Sequence, residues 1–383
     1  MKIAIYHPWI YVKSGLERTI MEIKKRSHHD WDIYTSHFDA DGTYPELGEM
    51  GIIELEKVSV KRNYFHVVKA AVKVFTTRID TRKYDALVIC CDGIGSLLAF
   101  NNRSIPLICL CFTPLRAVYD QEYRKRHLEK HRKLLPFALM LELAYKVIDR
   151  MAWRNYQHVF AISHVVKKRL LEGSLCETQN IEVAYPGIDE DKIAPSPVRE
   201  NYFFLPGRIM WTKNIELAVD AFLDFYSQQP DRFRLVVAGM VDRKSQPYLE
   251  TLMKKCHGNN DIQFIQGLSD SEMARYYNNC YAVLFTAFNE DLGLTPLEAM
   301  THGKPVIAVN RGGPTEIVAH GETGLLVEND PKAFSDAMEY LVHNPDVALR
   351  MGENGMRHCR SFGWQKFVHQ LDDYLDKEVV RPS

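Results

Sequence analysis

Two glutamates stand eight positions apart in the segment NEDLGLTPLEAM, at residues 289–300. In one interpretation, Thr295, Pro296 and Glu298 begin a helix as a capping box that satisfies its free backbone N–H groups. In another, Glu290 and Glu298 accept hydrogen bonds from a bound sugar and a ribose. The two interpretations are compatible for Glu298. Glu290 precedes the predicted helix and has no evident structural role, which favours a functional one.

Two cations follow a strand-like segment in LPGRIMWTKN. Arg208 and Lys213 flank a predicted helix start, for which Thr212 is the predicted N-cap. Cations beside the N-terminus of a helix can neutralise a diphosphate leaving group. A purely structural role for two such surface cations is the alternative.

Glycines in two further loops could bring the backbone close to a ligand. Ser14-Gly15, in YVKSGLERT, follows the first strand and precedes a helix whose N–H groups favour phosphate. Gly267 and Leu268, in FIQGLSD, could offer backbone groups to a nucleobase. A plain turn explains either loop equally well.

Two other glycine-containing segments also follow predicted strands. Gly293 allows backbone N–H groups of the NEDLGLTPLEAM segment to face a ligand. Gly312 and Gly313 precede Pro314, and Glu316 then falls at the third helical position. We expect Glu316 to cap that helix.

Strands and helices alternate along the second half of the chain. The predicted strands are YFFLP (202–206), FRLVVAG (233–239), IQFIQ (262–266), AVLFTA (282–287), PVIAV (305–309) and GLLV (324–327). Helix-like segments lie between them, including one with a Ser269–Glu272 capping box and one that starts at Asp330-Pro331. This alternation predicts a parallel sheet whose strand-to-helix loops lie at one edge, where ligands bind.

The first half repeats this pattern in KIAIYH, DALVICC, PLICLCF, HVFAIS and IEVAYP. We therefore predict an α/β protein with two Rossmann-like, doubly wound domains that face a central cleft. At 383 residues the chain fits two domains. The predicted bounds are 1–195 and 196–363, followed by a terminal helix in 364–383. The segment APSPVREN (194–201) is the predicted link.

Composition narrows the class of protein. A formal net charge of −1 argues against a dedicated nucleic-acid binder. Residues 116–169 hold 13 Lys and Arg but 5 Asp and Glu, a patch that could meet anionic lipid or form a solvated helix face. We expect no membrane span and no leader segment. The eight cysteines form no CxxC pair, so we expect reduced thiols in a cytoplasmic protein and no metal site.

Taken together, these motifs resemble a known family. The spacing from Glu290 to Glu298 is an E-x7-E motif, and PGR…K, HGKPVIA, GGPTEIV, GETGLLV, TPLRAVYD, FAISHVVKKRL and YPGID accompany it. The chain resembles retaining glycosyltransferases of family 4, also called glycosyl transferases group 1, which have the GT-B fold. The resemblance covers nearly the whole chain and is strongest from about residue 200 to 365.

The resemblance implies a donor site for a nucleotide sugar. It implies that Arg208 and Lys213 bind the diphosphate, that Glu290 lies against the sugar, and that Glu298 holds the ribose. It also implies that the backbone of Leu292, Gly293 and Leu294 meets sugar hydroxyls and phosphate. The loop of Gly15 would approach the diphosphate and the acceptor. Catalysis would need Glu290, Arg208 and Lys213 but no metal or other cofactor. The terminal helix, near Trp364–Lys377, would cross back onto the first domain.

The resemblance also limits what can be inferred about the substrates. Many relatives have CHTP where this chain has CFTP, so Phe112 replaces a histidine that would face the donor sugar. TPLRAVYD favours GDP-mannose, and UDP-glucose and other UDP-hexoses are alternatives. The expected acceptor is a glycan or a lipid-linked saccharide at the inner membrane face. A sugar phosphorylase, a sugar-nucleotide epimerase or a non-catalytic nucleotide-sugar binding protein could share the architecture.

Overall fold

The computed structural model describes residues 1–60, 64–130, 134–189, 199–228 and 233–379. Contacts divide the chain into two compact units. Unit 1 comprises Met1–Pro186 together with Trp364–Ser383, and unit 2 comprises Gly187–Gly363. The predicted boundary at 195/196, and most of the predicted link 194–201, lie outside the described residues.

Unit 1 is built on a seven-stranded sheet with the order β3-β2-β1-β4-β5-β6-β7. Its strands are β1 (Lys2–His7), β2 (Asp30–Thr35), β3 (Ile53–Glu54), β4 (Ala86–Gly93), β5 (Leu107–Pro114), β6 (His158–Ala161) and β7 (Ile181–Val183). Its helices are α1 (Gly15–Arg26), α2 (Pro45–Glu49), α3 (Tyr64–Thr76), α4 (Arg116–Tyr119), α5 (Gln121–Lys130), α6 (Leu135–Trp153) and α7 (His164–Glu172). A 3-10 segment, Ile94–Asn101, follows β4.

Unit 2 has a six-stranded sheet with the order β10-β9-β8-β11-β12-β13. Its strands are β8 (Tyr202–Pro206), β9 (Arg234–Ala238), β10 (Ile262–Ile265), β11 (Ala282–Phe285), β12 (Val306–Val309) and β13 (Gly324–Val327). Its helices are α8 (Ile215–Gln228), α9 (Gln246–Lys255), α10 (Asp270–Asn279), α11 (Leu294–Thr301), α12 (Pro314–Ile317), α13 (Pro331–His343) and α14 (Pro345–His358). The final helix, α15 (Trp364–Glu378), returns to unit 1.

All pairings in both sheets are parallel, which confirms the predicted Rossmann-like architecture of each unit. In each sheet the strand order reverses beside its first strand, between β1 and β4 and between β8 and β11. Such a switch point opens a crevice at the carboxyl ends of the two strands, where α/β proteins bind ligands.

Apolar side chains from both faces of the unit 2 sheet form its core. Phe222 and Phe225 of α8 are almost completely buried, as expected from the apolar face of that helix. Phe203 of β8 packs edge-on against Phe225, with ring centroids 5.4 Å apart. This packing fixes β8 and α8, and with them the loop that joins the two elements.

The terminal helix packs on unit 1, as predicted. Asp372 is buried and accepts a hydrogen bond from the Ser27 hydroxyl at 2.6 Å. Gln370 donates to Glu182 Oε1 at 2.6 Å. These polar contacts, with buried Phe367 and Leu371, attach the last helix to the first half of the chain.

One strand of unit 1 goes beyond the sequence prediction, whereas the free cysteines agree with it. Strand β2 was not predicted, yet it pairs with β1 along its whole length. All eight cysteines are free thiols, and all but Cys176 are buried. The sulfur atoms of Cys91, Cys109 and Cys111 lie within 4.8 Å of one another in the core.

Candidate functional site

The strands β8 and β11 meet at the switch point of unit 2. Phe203 pairs with Ala282, and Phe204 with Val283, in parallel register. The loop after β8 carries Arg208, and the loop after β11 carries Glu290. Because both loops leave the carboxyl ends of neighbouring strands, the sequence segments with candidate chemistry converge at one edge of the sheet.

The loop after β8 is held close to the neighbouring strand. Gly207 has a φ of 137°, and its N–H donates to Ala238 O at 2.9 Å. A Cβ on Gly239 would lie 1.9 Å from Gly207 O, so the two glycines allow the backbones to touch. Arg208 is exposed and forms no ion pair with any residue in the described ranges. Its guanidinium is therefore available to an anion.

Lys213 ends a 3-10 helix, Trp211–Lys213, after which Asn214 adopts a left-handed conformation with φ 51°. The predicted N-cap at Thr212 is therefore wrong, because the N-cap of this 3-10 helix is Met210 and α8 starts later. Thr286 Oγ1 donates to Lys213 O at 2.8 Å. This bond ties the 3-10 helix to the residue that follows β11.

The side chains of Lys213 and Glu290 meet across the two loops. Lys213 Nζ lies 2.8 Å from Glu290 Oε2, and the two side chains are 22% and 24% exposed. The same ammonium lies 5.7 Å from the centroid of the Phe285 ring. The half-buried ammonium of Lys213 therefore lies at this edge of the sheet. Glu290 has a structural partner that the sequence did not reveal.

The start of α11 differs from the predicted capping box. Gly293, with φ 87°, is the N-cap, and no side chain caps the helix. Glu298 is the fifth residue of the helix rather than the third, so the capping interpretation of Thr295, Pro296 and Glu298 is wrong. A Cβ at Gly293 would lie 2.7 Å from Phe285 Cζ. Glycine therefore permits both the turn and its close packing.

Glu298 is instead held by a tyrosine. The buried Tyr277 hydroxyl donates to Glu298 Oε2 at 2.7 Å. Burial and the Glu298 charge raise the pKa of Tyr277, so the phenol stays protonated as a donor. The Tyr277 ring stacks on His302 with centroids 5.2 Å apart. Burial and the neighbouring Lys304 lower the pKa of His302 to about 4.

Gly312 and Gly313 bring a third loop against Glu290. Gly313 N donates to Glu290 O at 2.8 Å. A Cβ on Gly312 would lie 2.7 Å from the same oxygen, and one on Gly313 would lie 2.2 Å from Leu292 O. Glu316 is the third residue of α12, whose N-cap Gly313 has no side-chain cap bond, so Glu316 forms no capping box.

The other residues predicted to contact the donor lie on loops of unit 2 and, in one case, in unit 1. Leu292 is buried and Leu294 half-buried beside Gly293, and Leu268 is half-buried between β10 and α10. The Ser269–Glu272 capping box of α10 and the Asp330 cap of α13 form as predicted. Gly15 is the first residue of α1 in unit 1, capped by Ser14. Its contact with a donor stays a prediction.

The TPLRAVYD segment forms a buried network in unit 1. Arg116 Nη2 and Arg169 Nη2 lie 2.8 Å and 3.3 Å from Asp120 Oδ2. Burial opposes ionisation of Asp120, but the two guanidiniums and backbone N–H groups outweigh it and lower its pKa. Arg169 Nη1 also donates to Thr113 Oγ1 at 2.7 Å, next to the buried Phe112. The segment therefore braces the end of β5.

The sequence did not reveal two residues that position this site. Tyr277 orients Glu298, and Phe285 lies beneath both Lys213 and Gly293. Phe285 ends an apolar strand typical of any core, whereas Tyr277 is the buried residue of the otherwise polar helix α10. Two Rossmann-like units, each with a parallel sheet whose strand order reverses once, are the architecture of the GT-B fold.

Comparisons with known proteins show what the chain is similar to. The family described as Glycosyl transferases group 1 matches residues 188–358 of the chain. It is 34% identical over 212 residues to mouse Alpha-1,3/1,6-mannosyltransferase ALG2, covering 52% of this chain and 50% of the mouse protein. It is 26% identical to the ALG2 protein of Dictyostelium discoideum, covering 98% of each chain.

A solved structure shares the fold. The Anabaena protein Alr3699/HepE, in complex with UDP and glucose, superimposes with a TM-score of 0.75 and 18% identity. The superposition covers 98% of this chain and 100% of the Anabaena chain. This likeness confirms the GT-B fold. By contrast, the matched region spans only about half the length of the mouse relative.

Proposed function

We propose that this protein is a hexosyltransferase that moves a hexose from a nucleoside diphosphate sugar to a saccharide acceptor. The observation that carries the proposal is the Lys213–Glu290 pair at the switch point of unit 2. Arg208 lies on the same edge with no ion-pair partner among the described residues. Two cations beside helix N-termini suit a diphosphate, and the match of residues 188–358 to Glycosyl transferases group 1 supports this assignment.

The proposed mechanism follows the charge that develops as the donor bond breaks. Negative charge grows on the departing diphosphate, and Arg208, Lys213 and the N–H groups at the start of α11 stabilise it. The sugar becomes oxocarbenium-like, and Glu290 orients it and stabilises its positive charge without forming an ester. The diphosphate accepts the acceptor's proton, and attack on the departing face retains the anomeric configuration. Protein cations supply the charge neutralisation, so the reaction is proposed to need no metal.

GDP-mannose is the proposed donor, because the chain is similar to mannosyltransferases over nearly its full length. In this proposal Glu298, oriented by Tyr277, accepts from the ribose diol, and the Leu268 backbone approaches the base. A UDP-hexose is the alternative donor, supported by the UDP and glucose in the Anabaena structure. A thermal-shift panel of GDP-, UDP- and ADP-linked sugars separates these donors, because the bound donor raises the melting temperature.

The proposed acceptor is a glycan or a lipid-linked saccharide, and we propose peripheral contact with an anionic membrane through residues 116–169. This surface would place the protein at the cytoplasmic face of the membrane. None of the helices in the described ranges has the length and apolar character needed to span a bilayer. High salt should release the protein from anionic vesicles if the contact is electrostatic.

Two other functions predict different results in activity assays. A sugar phosphorylase would release a sugar phosphate when given inorganic phosphate. A non-catalytic binding protein would bind the nucleotide sugar without transferring or slowly hydrolysing it. Retention of Arg208, Lys213 and Glu290 together favours the transferase.

The Glu290→Ala variant tests the proposed role of Glu290. We expect kcat to fall far more than donor affinity, because the carboxylate acts on charge that appears only in the transition state. Donor affinity is measured by calorimetry and kcat by product formation. Activity within about twofold of the wild type would contradict the assigned role.

A further inference from the structure

Two histidines and two aspartates of unit 1 form a cluster of possible metal ligands, which we call the His–Asp cluster. His28 and His29 lie in the turn between α1 and β2, and Asp372 and Asp376 lie about one helical turn apart on α15. Donor atoms of His28, His29 and Asp376 lie within 4.8 Å of one another. Because α15 belongs to unit 1, all four residues are in the same compact unit.

The distances in the His–Asp cluster suit a tetrahedral metal ion. His28 Nε2 lies 3.0 Å from Asp376 Oδ2, and His29 Nε2 lies 3.5 Å from Asp376 Oδ1. Two ligand atoms of a tetrahedral zinc ion are about 3.3 Å apart, since its bonds to imidazole nitrogen are about 2.0–2.1 Å long. An ion placed between the two imidazoles and the carboxylate therefore requires only small movements of the side chains.

His29 presents a buried nitrogen that has no hydrogen-bond partner within the described part of the chain. Its side chain is 2% exposed, and the unpartnered atom is Nε2, the nitrogen directed at Asp376. A buried polar atom without a partner is costly and points to a missing ligand. His29 Nδ1 lies 3.3 Å from the Met1 amine. A metal on Nε2 requires the tautomer with hydrogen on Nδ1, which can donate to the neutral form of that amine.

His28 is oriented by a second carboxylate. His28 Nδ1 lies 3.1 Å from Asp372 Oδ2, which leaves Nε2 directed at Asp376. Asp372 is buried and accepts hydrogen bonds from the Ser27 hydroxyl at 2.6 Å and from the His28 backbone N–H at 3.3 Å. Histidines that bind a metal usually donate their other ring N–H to a carboxylate in this way, which fixes the ring and raises the basicity of the ligating nitrogen.

The turn that carries both histidines is fixed by Ser27. Ser27 is the C-cap of α1, and its N–H donates to Ile23 O at 3.0 Å. Its hydroxyl accepts from the His29 backbone N–H at 3.1 Å and from the indole N–H of the buried Trp31 at 2.8 Å. The two imidazoles are therefore held in place by the fold, which lowers the entropic cost of binding an ion.

Charge, donor type and access favour a divalent transition ion. The carboxylates of Asp372 and Asp376 together balance a charge of +2, and in the described ranges neither pairs with a lysine or arginine. Imidazole nitrogens suit zinc and its neighbours, whereas magnesium and calcium prefer oxygen ligands. The side chains of His28 and Asp376 are 59% and 50% exposed, so an ion can enter from solvent.

We propose that His28, His29 and Asp376 bind one zinc ion, with water completing the coordination, and that the bound ion fixes α15 on unit 1. Asp372 is the positioning residue. The inference is independent of the proposed transferase function, because the ion acts on the structure of unit 1 and takes no part in the transfer. The expectation of no metal site came from the spacing of the cysteines, and His28 and Asp376 are 348 positions apart.

Calorimetric titration and thermal unfolding of the full-length protein with zinc, magnesium or calcium test the site. His28→Gln and Asp376→Asn remove ligands at exposed positions, so these variants should fold. Asp372→Asn removes the charge that orients His28. His369→Gln and Asp373→Asn are matched controls, because both side chains are exposed on the same helix.

We expect the wild type to bind one zinc ion per chain. Zinc at ~100 times the Kd should raise the melting temperature by roughly 5 °C or more, and magnesium and calcium should not. His28→Gln and Asp376→Asn should weaken zinc binding by at least about tenfold and Asp372→Asn by about 10–100-fold, whereas the controls should match the wild type. No zinc-dependent shift in the wild type, or an equal shift in the ligand variants, would overturn the proposal.

A thiol variant separates this site from the cysteines in the core. The sulfur atoms of Cys91, Cys109 and Cys111 also lie close enough to hold an ion. Zinc binding should be unchanged in Cys111→Ala. Zinc binding that survives His28→Gln but is lost in Cys111→Ala would place the ion at the thiols and overturn the proposal.

Hydrogen exchange tests whether the ion fixes α15. In the wild type, zinc at ~10 times the Kd should slow amide exchange in residues 364–378 by about tenfold, because opening of the helix must first release the ion. The same zinc concentration should leave exchange in His28→Gln unchanged. Unaltered exchange of α15 in wild-type protein with zinc bound would contradict the structural role.

Discussion

Lys213 Nζ lies 2.8 Å from Glu290 Oε2, although the two residues are 77 positions apart in the chain. They meet because β8 and β11 are neighbours at the point where the order of the sheet reverses. Without a ligand the two charges neutralise each other. A bound diphosphate would compete with Glu290 for the ammonium, so donor binding and the orientation of the carboxylate are coupled.

Removing the ammonium should impair the reaction more than the fold. We expect Lys213→Met to lower kcat/KM by roughly 10²–10³, the usual loss when one group that stabilises a developing charge is removed. Lys254→Met, on the exposed side of α9, is the control and should retain activity. The measurement is product formation with a saturating acceptor. A loss of less than about fivefold in Lys213→Met would contradict a role in stabilising the leaving group.

Alanine substitutions at two glycines should distinguish the cost of backbone strain from the cost of lost close packing. Gly312 and Gly321 have similar φ values, 70° and 79°, but only Gly312 approaches another backbone, since its Cβ would lie 2.7 Å from Glu290 O. Gly321→Ala should lower the free energy of unfolding by about 1 kcal/mol, the cost of a left-handed alanine. Gly312→Ala should lose more and should also lose stabilisation by the donor, because the Glu290 loop must shift. Denaturant unfolding with and without nucleotide sugar measures both, and equal effects of the two substitutions would refute the packing argument.

The Tyr277 hydroxyl should set the donor affinity through Glu298. In Tyr277→Phe the carboxylate loses one donor, and we expect the donor Kd to rise about fivefold, or roughly 1 kcal/mol, which is typical of one hydrogen bond. Tyr281→Phe is matched, because its buried hydroxyl donates to Leu341 O at 2.8 Å, away from the site. Calorimetric titration with the nucleoside diphosphate measures both variants. If Tyr281→Phe weakens binding as much, the effect is one of general stability.

His302 should make stability depend on acid pH. Its pKa is lowered to about 4 from an ordinary value of 6.5 by burial and by Lys304. Below about pH 6.5 the unfolded chain protonates this histidine, whereas the folded chain does so only near pH 4. The free energy of unfolding therefore falls as the pH drops from about 6.5 to about 4. His302→Gln should reduce that loss by about 3 kcal/mol, because the pKa differs by about 2.5 between the two states and one pKa unit corresponds to 1.36 kcal/mol. His343→Gln, at an exposed position, should not, and parallel pH profiles for wild type and His302→Gln would contradict the assignment.

Hydrophobic patterning predicted the sheet of unit 2 well and that of unit 1 less completely. Every strand of unit 2 was predicted, because each is a short apolar run followed by turn residues. Strand β2 was missed because Asp30 and Asp32 interrupt its apolar residues, and aspartate disfavours strands. Its buried side chains, Trp31 and Ile33, face the core only once the register with β1 is known.

The sequence predicted the parts of the site that depend on strand order. It did not predict how the helix that carries Glu298 begins. Neighbouring strand ends in a doubly wound sheet bring the Lys213 and Glu290 loops together, and the alternation of elements implies this. Capping patterns predicted the starts of α10 and α13 but failed at α11, because Gly293 takes a positive φ and leaves Glu298 free of the cap. Tyr277 carried no signal, since its partner is known only from the tertiary fold.

A crystal structure with an intact or non-hydrolysable nucleotide sugar tests the central claim most directly. We expect the diphosphate within hydrogen-bonding distance of Arg208 and Lys213, the ribose on Glu298 and the hexose beside Glu290, all at the carboxyl ends of β8 and β11. Density for the nucleotide sugar at any other place on the protein, with these four side chains unengaged, would contradict the account.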